Sequence, residues 1–200
     1  MKKVTLIILF VFIAKANYAQ DISYGLHLNA SIHQHIELKT PSVHGSLSGR
    51  SSNGGFNYGG YFEYFFNDKI GLRGSMLYGK KEDNYFQLES FTVDVSTLQF
   101  NPVIKYNFGQ NYDKGLYLFT GPSVTFILKT EIDEDEITDF YKKVNFGVQL
   151  GFGVNFLKYF AFELKVYQGF SKYLDAVDEK NYYVNFSASL LFKIDKLIAK

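Results

Sequence analysis

The stretch from Lys143 to Tyr173 leaves the chain very few folds. Its even positions are apolar: Val144, Phe146, Val148, Leu150, Phe152, Val154 and Phe156. Its odd positions are small or polar: Asn145, Gly147, Gln149, Gly151, Gly153 and Asn155. A period of two held this long belongs to extended chain and excludes a helix, whose faces repeat every 3.6 residues. After a turn at residues 157–159 the alternation resumes, with Phe160, Phe162, Leu164 and Val166 on one face and Ala161, Glu163, Lys165 and Tyr167 on the other. The apolar face is greasier than one side of a soluble sheet, and the opposite face carries glycines and charges. A strand that crosses a membrane has this make-up, apolar toward lipid and polar toward a lumen, with about 9–11 residues per crossing.

The same pattern recurs along the chain. Strands are predicted from about Ile22 to Ile32, Gly55 to Phe66, Lys69 to Lys80, Phe91 to Phe108 and Gly115 to Lys129, then the hairpin just described, then Asn181 to Phe192. The fourth is irregular. Phe91, Val93 and Val95 fall on odd positions, and Leu98, Phe100, Ile104 and Tyr106 on even ones, so a phase slip near Ser96 predicts a β-bulge. Gly121-Pro122 inside the fifth predicts a second irregularity, because proline cannot donate to a ladder. The connections alternate in length. Residues 33–54, 81–90, 130–142 and 172–180 read as long polar loops, and 67–68, 107–114 and 157–159 as short turns. This asymmetry predicts an all-β, eight-stranded antiparallel up-and-down transmembrane β-barrel with both termini on the periplasmic side. A soluble lipocalin-like barrel is the rival fold, with the faces exchanged. Phenylalanine at this density would overfill its interior.

Residues 1–19 read as a cleaved secretory leader: Lys2 and Lys3, an apolar run from Val4 to Ala14, and a small-residue cleavage site ending at Ala19. Residues 20–193 form the barrel domain, and 194–200 a short tail. Loss of Lys2, Lys3 and Lys15 with the leader takes the 21 basic residues to 18 against 20 acidic ones, a formal charge of −2. No basic stripe suits nucleic acid. The absence of cysteine removes disulfides, thiolate metal sites and thiol nucleophiles.

The face opposite the lipid carries charges of both signs: Glu63, Arg73, Lys105, Glu163 and Lys165, with Asp94 and Lys193 as further members. Buried charges must pair or stay wet, so these residues predict a lumenal network that plugs the barrel. His33 and His35 share one side of a strand end and are weak metal candidates, with His44 or Glu37 needed to complete a site. The same histidines with Ser31, Ser42 or Ser46 could be written as a hydrolytic triad, but no spacing selects one set. The acidic run Glu131, Asp133, Glu134, Asp135, Glu136 and Asp139 lacks the spacing of a calcium loop and reads as a solvated surface. The expected protein is therefore non-enzymatic, needs no cofactor, and lies in the outer membrane of a Gram-negative cell. Its expected partners are lipid and lipopolysaccharide, the barrel assembly machinery and a protein bound by the outer loops. Small-ligand or ion binding and lipid hydrolysis or acyl transfer are the alternatives. Tyr78, Tyr106, Tyr159 and Tyr182 are expected interfacial anchors.

Three segments carry a family likeness: Leu98-Gln-Phe-Asn-Pro-Val-Ile-Lys-Tyr-Asn-Phe108, Leu116-Tyr-Leu-Phe-Thr-Gly-Pro-Ser-Val124, and Asn145-Phe-Gly-Val-Gln-Leu-Gly-Phe-Gly153. Their order resembles the outer-membrane β-barrel domain of PorT-like proteins of Bacteroidetes, over most of residues 21–193. The resemblance implies the same barrel and location. It implies no single activity, since PorT itself serves protein secretion and its relatives are functionally mixed. Such barrels often stop at an aromatic residue of the last strand, whereas eight residues follow Phe192 here.

Overall fold

The computed structural model describes residues 22–37, 53–86, 90–112, 114–132, 135–138, 142–170 and 181–198. The strands are β1 (Ile22–Glu37), β2 (Asn53–Phe65), β3 (Ile70–Phe86), β4 (Ser90–Asn107), β5 (Gly115–Ile132), β6 (Asp135–Glu136), β7 (Val144–Leu157), β8 (Phe160–Gly169) and β9 (Asn181–Lys193). A single helical turn, α1 (Asp195–Ile198), follows. Eight strands run β4-β3-β2-β1-β9-β8-β7-β5, and pairing of β4 with β5 closes the ring. Neighbouring strands are antiparallel throughout. The two-residue β6 only extends the β5 edge, through Glu131↔Glu136 and Ile132↔Asp135. Closure leaves the ring no unpaired edge, which is the condition for a sheet to sit in hydrocarbon.

The faces fall as the alternation requires. On β7, Asn145, Gly147, Gln149, Gly151, Gly153 and Asn155 point inward and are buried, while Phe146, Val148, Leu150, Phe152 and Phe156 are exposed. Phe152 is 51 % exposed, Leu150 62 % and Phe62 52 %. An apolar belt around the whole ring far exceeds the few hundred Å² a soluble monomer leaves in water. With Phe146 and Phe152 outside, no lipocalin-like apolar cavity exists among the described residues, so the rival fold is excluded.

The interior is more aromatic than the polar face alone suggests. Tyr61, Val103, Tyr117, Phe119, Ala161 and Leu191 form a buried cluster inside the barrel. The glycines of β7 make room for it. A Cβ at Gly151 would lie 2.4 Å from the Phe119 ring, and one at Gly153 2.5 Å from the Tyr117 ring. The register sets Tyr117 opposite Gly153 and Phe119 opposite Gly151, so each ring lies over the gap its neighbour leaves. This is the seating of aromatics over glycine that stabilises sheets.

Several sequence expectations need correction. The residues read as loop at 33–54 and 81–90 are partly strand. β1 continues to Glu37, and the β3–β4 ladder runs to Phe86↔Ser90. Polar composition misled there because a wall standing clear of the bilayer faces water on its outer side. A crossing takes about 9–11 residues, and β3 to β5 have 17, 18 and 18. The register shift does fall at Ser96/Thr97, but the extra residue is Leu128 on β5, since Ser96 pairs with Lys129 and Thr97 with Ile127. β4 keeps one phase. Val93 and Val95 therefore point inward, where they pack with Ile127, Ile132 and Ile137. Asp94, expected inside, is exposed on the outer wall.

The irregularity at Gly121-Pro122 is present. Asn101, Pro102 and Val103 lie opposite Gly121–Ser123 between two paired runs of the β4–β5 ladder, whereas β5–β7 pairing is continuous through Pro122↔Val148. A Cβ at Gly121 would sit 2.1 Å from the Pro102 carbonyl oxygen, so two prolines on facing strands are accommodated by close backbone approach. The leader expected over residues 1–19 and the loop at 172–180 lie outside the described residues.

Candidate functional site

Glu63 on β2, Arg73 on β3, Lys105 on β4 and Glu163 on β8 meet inside the barrel, and each is at most 3 % exposed. The register places them near the end that carries the short turns: Glu63 stands opposite Arg73, Lys105 opposite Gly71, and Glu163 opposite Gly153. The guanidinium of Arg73 donates two parallel hydrogen bonds to the Glu163 carboxylate, at 2.5 and 3.0 Å. Lys105 Nζ donates to Glu63 Oε1 at 2.7 Å, and Arg73 Nη1 lies 3.9 Å from Glu63 Oε2. The Tyr117 hydroxyl donates to Glu163 Oε1 at 2.7 Å.

The topology gives one of these contacts special weight. In the ring order, β3 and β8 are four steps apart in either direction, so they stand on opposite walls. The Arg73–Glu163 pair therefore spans the lumen across its diameter. The bidentate fork fixes both its distance and its plane. Two cations face two anions, so the cluster balances its own charge. Rings fill the space around it. Lys105 Nζ lies 4.1 Å from the centre of the Tyr117 ring and 4.4 Å from that of Tyr112, and the Arg73 guanidinium lies 5.2 Å from that of Phe119.

Tyr112 comes from the turn between β4 and β5 and folds into the barrel mouth, where its ring packs on Phe65 at 3.9 Å. On the same side, the segment after β9 turns onto β1. Asp195 Oδ1 accepts hydrogen bonds from Ser23 Oγ at 2.9 Å and from the Tyr24 amide at 3.1 Å.

Lys165 lies inside the barrel but does not bond to either carboxylate. Its Nζ lies 3.5 Å from the Gln149 amide oxygen. Lys193 is also inside and buried. The outer half of the lumen is lined by amides and hydroxyls. Asn57 donates to Asn29 at 3.1 Å, Asn29 to Ser189 at 2.8 Å, and Ser123 to Asn101 at 2.5 Å. Of these, Asn29, Asn101 and Ser123 border a cavity of about 50 Å³.

The backbone of His33, His35 and Glu37 belongs to β1, but their side chains, together with Ser42, His44 and Ser46, lie outside what the structure describes. The metal and triad candidates are therefore not placed. Ser31 is buried, and its hydroxyl donates to the Gly55 carbonyl at 3.4 Å. In the acidic segment Lys129 pairs with Glu131, and Glu136 accepts from the Thr138 hydroxyl. Sequence reasoning missed Tyr117, Tyr112 and His27 as members of the interior. His27 is buried and meets Ser75 at 3.1 Å. Tyr117 had a signal: an aromatic in phase with Phe119, on the strand next to a run of alternate glycines.

Residues 18–175 match the outer membrane protein β-barrel domain. The chain belongs to that family, and its place is the outer membrane. Among solved structures, this outer-membrane barrel is similar to the Neisserial surface protein A, at 13 % identity and a TM-score of 0.59, with 88 % of this chain and all of that one covered. It is also similar to OprG from Pseudomonas aeruginosa, at 13 % identity and a TM-score of 0.53, over 86 % and 93 % of the two chains. Ail of Yersinia pestis, solved with the heparin analogue sucrose octasulfate, gives 12 % identity and a TM-score of 0.50 over 88 % and 100 %. At these identities the likeness concerns the fold. No curated protein matches the chain.

Proposed function

We propose that this outer-membrane barrel is a non-enzymatic envelope protein whose lumen is plugged and whose contribution lies at its outer surface. The observation that carries the reading is the Arg73–Glu163 fork, which joins opposite walls in a ring of eight strands. Such a ring has an interior that side chains fill. Lys105, Glu63, Tyr117 and Tyr112 pack beside the fork, which supports a closed section at that level. The outer ends of the long strands β3, β4 and β5 stand as a wall beyond the bilayer. They are the surface on which a lipopolysaccharide or protein partner would act. Lys80 and Lys129 are exposed on the outside of that wall and suit lipid phosphates. The PorT-like order of segments makes an accessory part in protein secretion one form of this surface role.

Planar-bilayer recording of the purified barrel tests the plug. The wild type should give no stepwise current, and the Arg73→Ala/Glu163→Ala double variant should give discrete openings. A steady open-channel current from the wild type would sink the reading and make small-solute transport the leading function.

A further inference from the structure

We propose that the outer half of the lumen is a binding vestibule for a small carboxylate, with Lys165 as its charge anchor. The inner cluster is electrically complete, with Arg73 and Lys105 matched to Glu63 and Glu163. Lys165 stands apart from that cluster. It is 9 % exposed and faces the cavity, and its hydrogen-bond partner is a neutral amide at the long distance of 3.5 Å. Glu163, the neighbouring carboxylate, is already bonded by Arg73 and Tyr117, so this buried ammonium has given up hydration without a carboxylate in direct contact among the described residues.

The cavity complements that charge, since none of the described residues lining it is acidic. Asn101 Nδ2 and Ser187 Oγ, which line the same space, are buried without a hydrogen-bond partner among the described residues, as is Asn145 Oδ1. A carboxylate takes one oxygen to the ammonium and one to an amide N–H. A hydroxyl on the same molecule satisfies the amide oxygen of Asn145. The volume of about 50 Å³ exceeds the roughly 10–15 Å³ needed to seat one water, so the space suits a few heavy atoms and not a sugar chain. The inner cluster forms the floor of this space.

The site needs no plug to exist, and its test is independent of conductance. The test is a titration of the folded barrel in detergent micelles with acetate at constant ionic strength. The readout is the side-chain amide signals of Gln149 and Asn101 in nitrogen-15 spectra. Acetamide, of the same shape and without charge, serves as the comparison on the wild type, so this arm needs no variant. Acetate should give saturable shifts and acetamide none that saturate. Lys165→Met should weaken acetate binding by about tenfold or more, and Lys165→Arg should keep it. Heat-modifiable gel mobility establishes that each variant is folded. Equal responses to acetate and acetamide would overturn the proposal. So would undiminished acetate binding by folded Lys165→Met.

Discussion

Glu163→Gln is the sharpest probe of the interior. Glu163 receives both arms of the Arg73 fork and the Tyr117 hydroxyl. The glutamine keeps the shape and one acceptor but removes the negative charge. Arg73 then faces only Glu63, whose nearer oxygen is 3.9 Å away and whose carboxylate already serves Lys105 at 2.7 Å. One cation is left uncompensated in a space about 2 % exposed at Arg73. Breaking a buried pair by removing one partner costs about 3–5 kcal/mol. Replacing both partners by well-packed residues of similar size is often neutral or better. Glu163→Gln should therefore lose about 3–5 kcal/mol, Arg73→Met a similar amount, and the double variant far less than their sum. Urea titration in lipid vesicles, read by the fraction of heat-modifiable band, measures all three. Residues without coupling add within about 0.3–0.5 kcal/mol. Additivity at that level would refute the claim that these two residues act as one bond across the lumen.

Two other perturbations test the wall. Phe152→Arg places a charge on the lipid face near mid-bilayer and should cost about 2–4 kcal/mol of insertion stability, while Gln149→Glu, which supplies Lys165 with a counter-charge, should fold at least as well as wild type; equal folded yields of Phe152→Arg and wild type in vesicles would contradict the assignment of faces. Gly153→Ala puts a Cβ 2.5 Å from a Tyr117 ring held by Glu163 and should cost about 1–3 kcal/mol by overpacking. Most of that loss should vanish in a Tyr117→Ala background, and an unchanged penalty there would place the strain elsewhere.

The outer face was almost wholly legible in the sequence, because lipid demands an unbroken apolar row on each strand and tolerates few exceptions. The inward direction of Glu63, Arg73, Lys105, Glu163 and Lys165 followed from the same alternation. Their partners did not. Period two assigns a face but gives no height or angle around the ring, so nothing distinguished Lys105, which meets Glu63, from Lys165, which meets an amide. The error at Val93 and Val95 has a related cause. Above the bilayer the outer wall faces water and the inner side is apolar, so the polarity rule reverses along a single strand. The sequence shows this as a slip in phase, although the backbone of β4 never slips.

The segment after β9 has a physical task that its composition does not announce. A barrel closes where its first and last strands meet, here β1 with β9. Pairing reaches only Gly25↔Lys193, which leaves Ile22–Tyr24 without a partner on β9. Residues 194 and 195 take over. The Ile194 amide donates to the Tyr24 carbonyl at 3.0 Å, and Asp195 accepts from Ser23 and from the Tyr24 amide. The chain turns off the sheet there, and the Asp195 carboxylate stands in for the carbonyl a longer β9 would have offered. Hydrogen bonds to a charged acceptor contribute about 1.5–3 kcal/mol, although part of this one is shared with water because the Tyr24 bond is exposed. Asp195→Ala should therefore lower overall stability by about 1 kcal/mol, and should speed hydrogen exchange at the Tyr24 amide much more than at Leu26 or Leu28. Uniform acceleration along β1 would mean that Asp195 supports the barrel as a whole. Unchanged exchange at Tyr24 would mean that the seam closes without it.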